Sequence, residues 1–277
     1  MKYFLVMLLI FLFGLGIFAQ DGSVLIAHNN YLVGAAKNGK WLKDTEVLNE
    51  FGKPSKFIGF DFFKSVEKPF EIYGTLGELG CGANYFYFSE AAKVPESIFD
   101  ETGLKPILAI SANAKWNPLP RTAQKIALTN KTYQKVALDF LKTKKISLKS
   151  VKLENAFSID LEGDGKTEIF LEATNYKDKN GELSATARAG NYSFVLMRKI
   201  INGKPKDFLI EGEFHPKKPE VEDYISEFNL SAIADLNGDG KMEVILEGLY
   251  SYAGVSTEIY ESNKNKLDKV LSVECGD

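Results

Sequence analysis

Apolar residues along this chain recur mainly at every second position or in short runs, and clearly adopt a helical period in one place. Within 132–145, Tyr133, Val136, Ala137, Phe140 and Leu141 fall at i, i+3, i+4, i+7 and i+8 and form one apolar stripe. Lys131, Lys135, Lys142, Lys144 and Lys145 supply the solvated side and the C-terminal end, where cations favour the helix dipole. Before this helix, 24–41 reads as a hairpin turning at Lys37-Asn38-Gly39-Lys40, because Asn-Gly suits two central residues with φ > 0. Asp44 opens a short helix carrying Val47, Leu48 and Phe51. Strand-like runs follow at 56–63, 70–76, 84–89 and 106–112, with Gly77, Gly80 and Gly82 marking turns and 93–103 a polar loop.

After the helix the alternation becomes repetitive. Strands are predicted at 151–159, 168–173, 193–200 and 207–210, and again at 225–234, 243–249, 257–260 and 269–273. Ala189-Gly190 and Ala253-Gly254 precede the two third strands, and an insertion at 177–187 lengthens the first unit. The expected fold class is mainly β with one clear helix, its C-terminal part built from four-strand repeat units, propeller-like or stacked. A four-strand unit cannot bury both faces alone, so such units stack or ring together. Two clear units do not close a propeller, which takes about four blades. The organisation reads as a signal peptide at 1–19, a β-rich region at 20–130, a helix and connector at 131–150, and two repeat units at 151–277. The N-terminal half holds either degenerate units or a different domain.

Each unit carries an acidic loop between its first and second strands. The loops are Asp160-Leu161-Glu162-Gly163-Asp164-Gly165-Lys166-Thr167-Glu168 and Asp235-Leu236-Asn237-Gly238-Asp239-Gly240-Lys241-Met242-Glu243. Oxygen side chains stand at loop positions 1, 3, 5 and 9: Asp160, Glu162, Asp164 and Glu168 in one, Asp235, Asn237, Asp239 and Glu243 in the other. Gly165 and Gly240 allow the sharp turn that makes them converge, and Lys166 and Lys241 offer backbone carbonyls. Hard oxygens at this spacing suit calcium. Four carboxylates in the first loop and three in the second repel one another unless a cation intervenes. The alternative is a metal-free acidic turn in which Asp caps the backbone. An EF-hand does not fit, because Leu171 and Leu246 stand where its bidentate Glu belongs and the flanks are strands.

The nine residues of each loop, followed by an apolar strand, resemble the calcium loop of FG-GAP and VCBS repeats, found in integrin α chains and many exported bacterial proteins. The resemblance implies one or two calcium ions, a propeller-like or solenoid-like β fold, and a role in adhesion or binding. Glu168 and Glu243 depart from the Asp usual at the last position, and Glu162 departs at the third, so the Asp235 loop is the closer match.

Composition narrows the function. An apolar run at 3–18 behind Lys2, with Ala19 before Gln20, reads as a cleaved secretory signal, being shorter than the roughly 20 residues of a spanning helix. The mature protein is therefore expected to be exported, periplasmic or extracellular, with no transmembrane segment. A formal net charge of −3 argues against nucleic acid and leaves a protein or envelope component as the expected partner. Cys81 and Cys275 are the two cysteines; an oxidising compartment favours a bridge between them, the alternative being two free thiols. His28 and His215 stand in no nucleophile or metal motif. Trp116-Asn117-Pro118-Leu119-Pro120-Arg121 reads as a rigid packed connector, or else as a Trp/Arg ligand rim. Glu172 and Glu247, four residues beyond each loop, read as solvent-facing strand residues or a shared surface. The favoured function is an exported calcium-binding β-repeat module with a binding or structural role. The alternative is a secreted hydrolase using carboxylates in a cleft between the two halves.

Overall fold

The computed structural model describes residues 23–28, 31–47, 55–61, 70–78, 84–88, 99–100, 103–104, 107–177, 181, 183–184, 186–219, 224–251, 254–263 and 266–275. The expected signal segment 1–19 and Cys81 lie outside the described residues. Among the described residues the architecture is three large antiparallel sheets, a two-stranded ladder and one long helix.

The first part of the chain forms β1 (Val24–His28), β2 (Tyr31–Lys37), β3 (Lys40–Lys43), α1 (Asp44–Val47), β4 (Ser55–Asp61), β5 (Phe70–Glu78), β6 (Asn84–Phe88) and β9 (Ile107–Ser111). β7 (Phe99–Asp100) and β8 (Gly103–Leu104) make a small ladder of their own where the sequence suggested a loop with or without a helical turn. The strands assemble into one seven-stranded sheet in the order β1-β9-β4-β5-β6-β2-β3, with β1 also pairing β2. A single pair, Tyr31↔Tyr85, links β2 to β6, a seam too short to close a barrel. The Asn-Gly turn forms as expected between β2 and β3, with φ of 51° at Asn38 and 71° at Gly39. The apolar run before it is two strands rather than one, with His28 opposite Tyr31. The N-terminal half thus contributes one broad sheet rather than further four-strand units.

The helix is α2 (Lys131–Thr143). Asn130 caps it, its Oδ1 accepting the N–H groups of Thr132 and Tyr133, a signal the periodicity alone did not supply. The first unit follows as β11 (Asn155–Ile159), β12 (Glu168–Thr174), β13 (Asn191–Ile201) and β14 (Lys204–His215), with β10 (Gln124–Lys125) added at its edge. The second unit is β15 (Ser226–Ala234), β16 (Glu243–Tyr250), β17 (Val255–Asn263) and β18 (Lys266–Cys275). The fourth strands are far longer than the sequence suggested.

Alternation along the strands sorts side chains into three cores. On β12, Leu171 and Ala173 pack against Val136, Ala137 and Leu141 of α2, whereas Phe170 faces the second unit. On β13, Phe194 and Leu196 join the helix side, while Val195 and Met197 meet Leu230, Val244, Leu246 and Tyr260 of the second unit. On β16, Ile245 turns the other way and packs with Val24, Ile26, Val33 and Ile110 of the N-terminal sheet. The layers therefore run α2, first-unit sheet, second-unit sheet, N-terminal sheet. Both unit sheets are covered on both faces, which is why β12 and β16 read as nearly continuous apolar runs. The units stack, as a four-strand meander with two apolar faces must. Cys275, at the end of β18, is disulfide-bonded.

Candidate metal centre

Both acidic loops leave the same end of their sheets, the first joining β11 to β12 and the second joining β15 to β16. Their backbones are wound by nearly the same hydrogen bonds, the exception being that Asp164 N donates to Asp160 Oδ1 at 3.2 Å whereas Asp239 N donates to Asn237 Oδ1 at 2.9 Å. Asp160 Oδ1 accepts from Gly163 N at 2.7 Å and Oδ2 from Gly165 N at 2.8 Å. Asp235 repeats this with Gly238 N at 2.7 Å and Gly240 N at 3.0 Å. Glu168 Oε2 accepts Leu161 N at 3.0 Å, and Glu243 Oε2 accepts Leu236 N at 2.7 Å, closing each loop from its last position to its second. Asp164 and Asp239 each accept the N–H two residues on, at 2.8 Å in both loops. Positive φ occurs at Gly163 and Gly165 (71° and 81°) and at Gly238 and Gly240 (80° and 81°), so each loop contains two left-handed residues, not one.

The two loops touch. Met242 N donates to Leu161 O at 2.9 Å. The connector between β9 and β10 straps them together. Trp116 Nε1 donates to Asp235 O at 2.8 Å, Asp235 N donates to Pro118 O at 2.8 Å, and the Trp116 ring lies against Gly238. Arg121 donates to the carbonyls of Asp160, Leu161 (2.7 Å) and Gly240 (2.8 Å), spanning both loops. Trp116 and Arg121 are thus neither a free rim nor simple core filler; they clamp the loop pair. Sequence reasoning found the residues but not this role, because nothing in local spacing announces a contact to a loop 40 or 119 residues away.

The loops differ in what faces their buried carboxylates. The β12–β13 ladder reaches Ile169↔Arg198, so the next pair brings Lys199 opposite Glu168. Lys199 Nζ pairs with Glu162 Oε1 and lies 3.6 Å from Glu168 Oε1, an oxygen that has no hydrogen-bond partner and whose side chain is 1% exposed. Ser262 of β17 also donates to Glu162. The β16–β17 ladder reaches Val244↔Tyr260, so the corresponding residue opposite Glu243 is Glu261. Glu261 accepts Trp41 Nε1 at 2.7 Å from the N-terminal sheet. The second loop's own lysine, Lys241, sits at the rim 3.6 Å from Asp239 Oδ2.

Electrostatics follow this difference. Burial pushes Glu243 well above the usual carboxylate range, and the charges of Asp235, Asp239 and Glu261 push it further. Burial raises Asp235 as well, against the backbone N–H groups of Gly238, Gly240 and Asn237. Burial raises Glu168, but there the Lys199 charge pulls it back. At the exposed rim of the first loop, hydrogen bonding to Lys166 holds Asp164 below its ordinary value.

Asp235, Asn237, Asp239, Glu243 and the Lys241 carbonyl are all hard oxygen donors of the type calcium takes. Glu243 Oε1 meets only the Asn237 amide, at 3.4 Å, and each Asp235 oxygen keeps a second lone pair beyond the single N–H it accepts. The second loop therefore fits a divalent cation. In the first loop Asp160, Glu162, Asp164, Glu168 and the Lys166 carbonyl are also brought together, but Glu162 is turned onto Lys199 and leaves the donor set. Among the described residues no three acidic, His or Cys side chains stand in a ready-made coordinating arrangement, since the loop carboxylates are turned onto backbone N–H groups.

Outside the loops, titratable groups lie between the layers. Glu172 is buried rather than solvent-facing: Oε2 accepts Leu230 N of the second unit at 2.9 Å, and burial raises its carboxyl to about 7. Fully buried Glu227 lies nearby, paired with Lys177 at 2.7 Å. Glu211 and Glu258 both lie within hydrogen-bond distance of the Tyr260 hydroxyl, and Lys269 contacts both carboxylates at 2.8 and 2.9 Å. His28 is buried, bonded through Nδ1 to Thr257 Oγ1 at 2.8 Å and through Nε2 to Ser231 Oγ, and burial lowers its pKa to about 3. His215 bonds Glu213 at 2.6 Å, and Glu213 also accepts Tyr176 and Ser226 N. No helix among the described residues is long and apolar enough to cross a membrane. No protein-family model, curated protein or solved structure matches this chain.

Proposed function

We propose that this chain is an exported β-repeat module whose second acidic loop takes a calcium ion, and that it serves as a binding or structural element for a protein or envelope component. The observation that carries the reading is the second loop itself. Three carboxylates and an amide oxygen line a tightly wound turn at the joint between two stacked units, two of the carboxylates are buried, and Glu261 adds a fourth negative charge nearby. Such a cluster is stabilised by a hard divalent cation. Asp235, Asn237, Asp239, Glu243 and the Lys241 carbonyl would hold it, and the ion would supply a counter-charge and a fixed turn rather than a reaction. The disulfide at Cys275 suits an oxidising compartment, as does the signal-like N-terminus.

The hydrolase reading draws less support. It asks for a carboxylate pair facing substrate, and one pair outside the loops, Glu211 with Glu258, is already engaged by Tyr260 and Lys269. The test of the favoured reading is thermal unfolding with and without calcium. At calcium about 100 times its dissociation constant, mass action adds ~2.7 kcal/mol, and Tm rises by roughly 5–10 °C for a chain of this size. The rise disappears in Asp235→Ala. A wild-type Tm indifferent to calcium sinks the proposal.

A further inference from the structure

The first loop repeats the second in backbone, glycines and three of four oxygen positions, yet its interior is already supplied with a cation. Lys199 enters from β13, with its side chain 10% exposed, and sits between Glu162 and Glu168. Those two carboxylates occupy loop positions 3 and 9, which in the second loop are Asn237 and Glu243. The ladders fix the correspondence: Glu168 faces Lys199 as Glu243 faces Glu261. One cross-strand position is therefore positive in one unit and negative in the other. Glu168 Oε1, buried and without a hydrogen bond, has the ammonium as its nearest compensation.

We infer that Lys199 is a resident counter-ion that makes the first loop independent of metal, so that the chain takes one divalent ion, at the Asp235 loop, and not two. This rests on the calcium reading of the second loop. An ammonium group is a compact cation, and here it stands against positions 3 and 9 of the first loop, where it compensates two carboxylates as the ion would compensate those of the second. Ser262 adds a donor to Glu162 from the next sheet, which further commits that carboxylate to partners the protein itself supplies. The residue across from position 9 thereby sets which loop depends on metal.

Calcium titration calorimetry on the chelator-treated chain tests this directly. Wild type is expected to bind one ion, Asp160→Ala one, and Asp235→Ala none. Lys199→Gln removes the internal cation but keeps a polar side chain of similar length; it is expected to bind two ions and to lose several degrees of Tm that calcium restores. Lys199→Arg keeps the charge and is expected to bind one. Two ions in wild type, or one ion lost in Asp160→Ala and kept in Asp235→Ala, overturn the inference while leaving calcium binding intact. No binding by wild type overturns the reading of the second loop and this inference with it. Wild-type stoichiometry decides the matter even where Lys199→Gln fails to fold.

Discussion

Asp160 and Asp235 accept N–H groups from the same two loop positions, and the last Glu of each loop closes back on the second residue in the same way. The two turns are close copies in main-chain hydrogen bonding, apart from the fifth position, where Asp164 N donates to Asp160 Oδ1 and Asp239 N to Asn237 Oδ1. They part at the side chains that reach them from elsewhere: Lys199 on the first, Trp116 and the Glu261 charge on the second, with Arg121 spanning both. A loop motif therefore specifies a conformation before it specifies a ligand. What fills the turn depends on one residue of the adjacent strand, and what holds it in place depends on a connector far away in sequence.

The largest expected effect comes from the fourth loop position. A Cβ at Gly238 would lie 2.8 Å from the Trp116 ring, while one at Gly163 would lie 2.9 Å from the end of the Arg121 guanidinium, and both residues have positive φ. The indole is bonded to Asp235 O and packed on the core beneath it, whereas the nitrogen facing Gly163 is Nη1, which takes no part in the bonds Arg121 makes through Nε and Nη2. Gly238→Ala is expected to cost ~3 kcal/mol and Gly163→Ala ~1 kcal/mol in urea unfolding. Equal costs would erase the distinction drawn between a rigid clamp and a flexible one.

Arg121→Ala should come next, at ~2 kcal/mol, because three carbonyls lose a charged donor at once. Arg121→Lys is expected to recover less than half of that, since an ammonium cannot span the three carbonyls as the planar fork does. Hydrogen exchange at Met242 N, which joins the loops, should quicken in both variants. Unchanged exchange there would mean that the loops are coupled without the arginine.

The two sheet interfaces can be compared by pH. Between the second unit and the N-terminal sheet, His28 has a folded pKa of about 3 against an ordinary 6.5. Its neutral form is the folded one, so its contribution is complete above pH 6.5 and is lost as pH falls toward 3, at ~1.4 kcal/mol per unit at most. Between the two units, Glu172 has a folded pKa of about 7 against an ordinary 4.5. Its protonated form is the folded one, so its contribution is complete below pH 4.5 and is lost as pH rises through 7. Glu172→Gln keeps an acceptor for Leu230 N and should stabilise the protein by ~1–2 kcal/mol at pH 8 with little effect at pH 4.5. A variant that melts like wild type at both pH values would remove Glu172 from this account.

The smallest effect is expected for Trp116→Phe, which keeps the ring against Gly238 and removes one N–H donor. It should cost ~1 kcal/mol and, if the strap also presets the second loop, weaken calcium binding without abolishing it.

The repeat, the single long helix and the loop turns were legible because each follows from nearby residues: a period of two, a period of 3.6, and paired glycines beside acidic oxygens. The contrast between the loops was not. Aligning the units on their Ala-Gly pairs sets Lys199 against Asn263, whereas the strand ladders set it against Glu261, two residues away. A two-residue offset preserves the face of every side chain, so the apolar pattern cannot reveal it. Glu172 was misread for a related reason. Alternation placed it correctly on one face, but only the stacking of the second unit makes that face an interior.

A pile of sheets has no natural length. Each layer exposes a fresh apolar face to the next, and nothing within a layer tells the pile to end. Here α2 ends it. Its apolar stripe lies on Leu171, Phe194 and Leu196, and its other side carries exposed Lys135, Asp139 and Lys142, tied to one another by ion pairs. That outer surface offers no ladder edge and no flat apolar plane on which a further sheet could grow. The helix is thus the full stop of the stack on the side of the first unit.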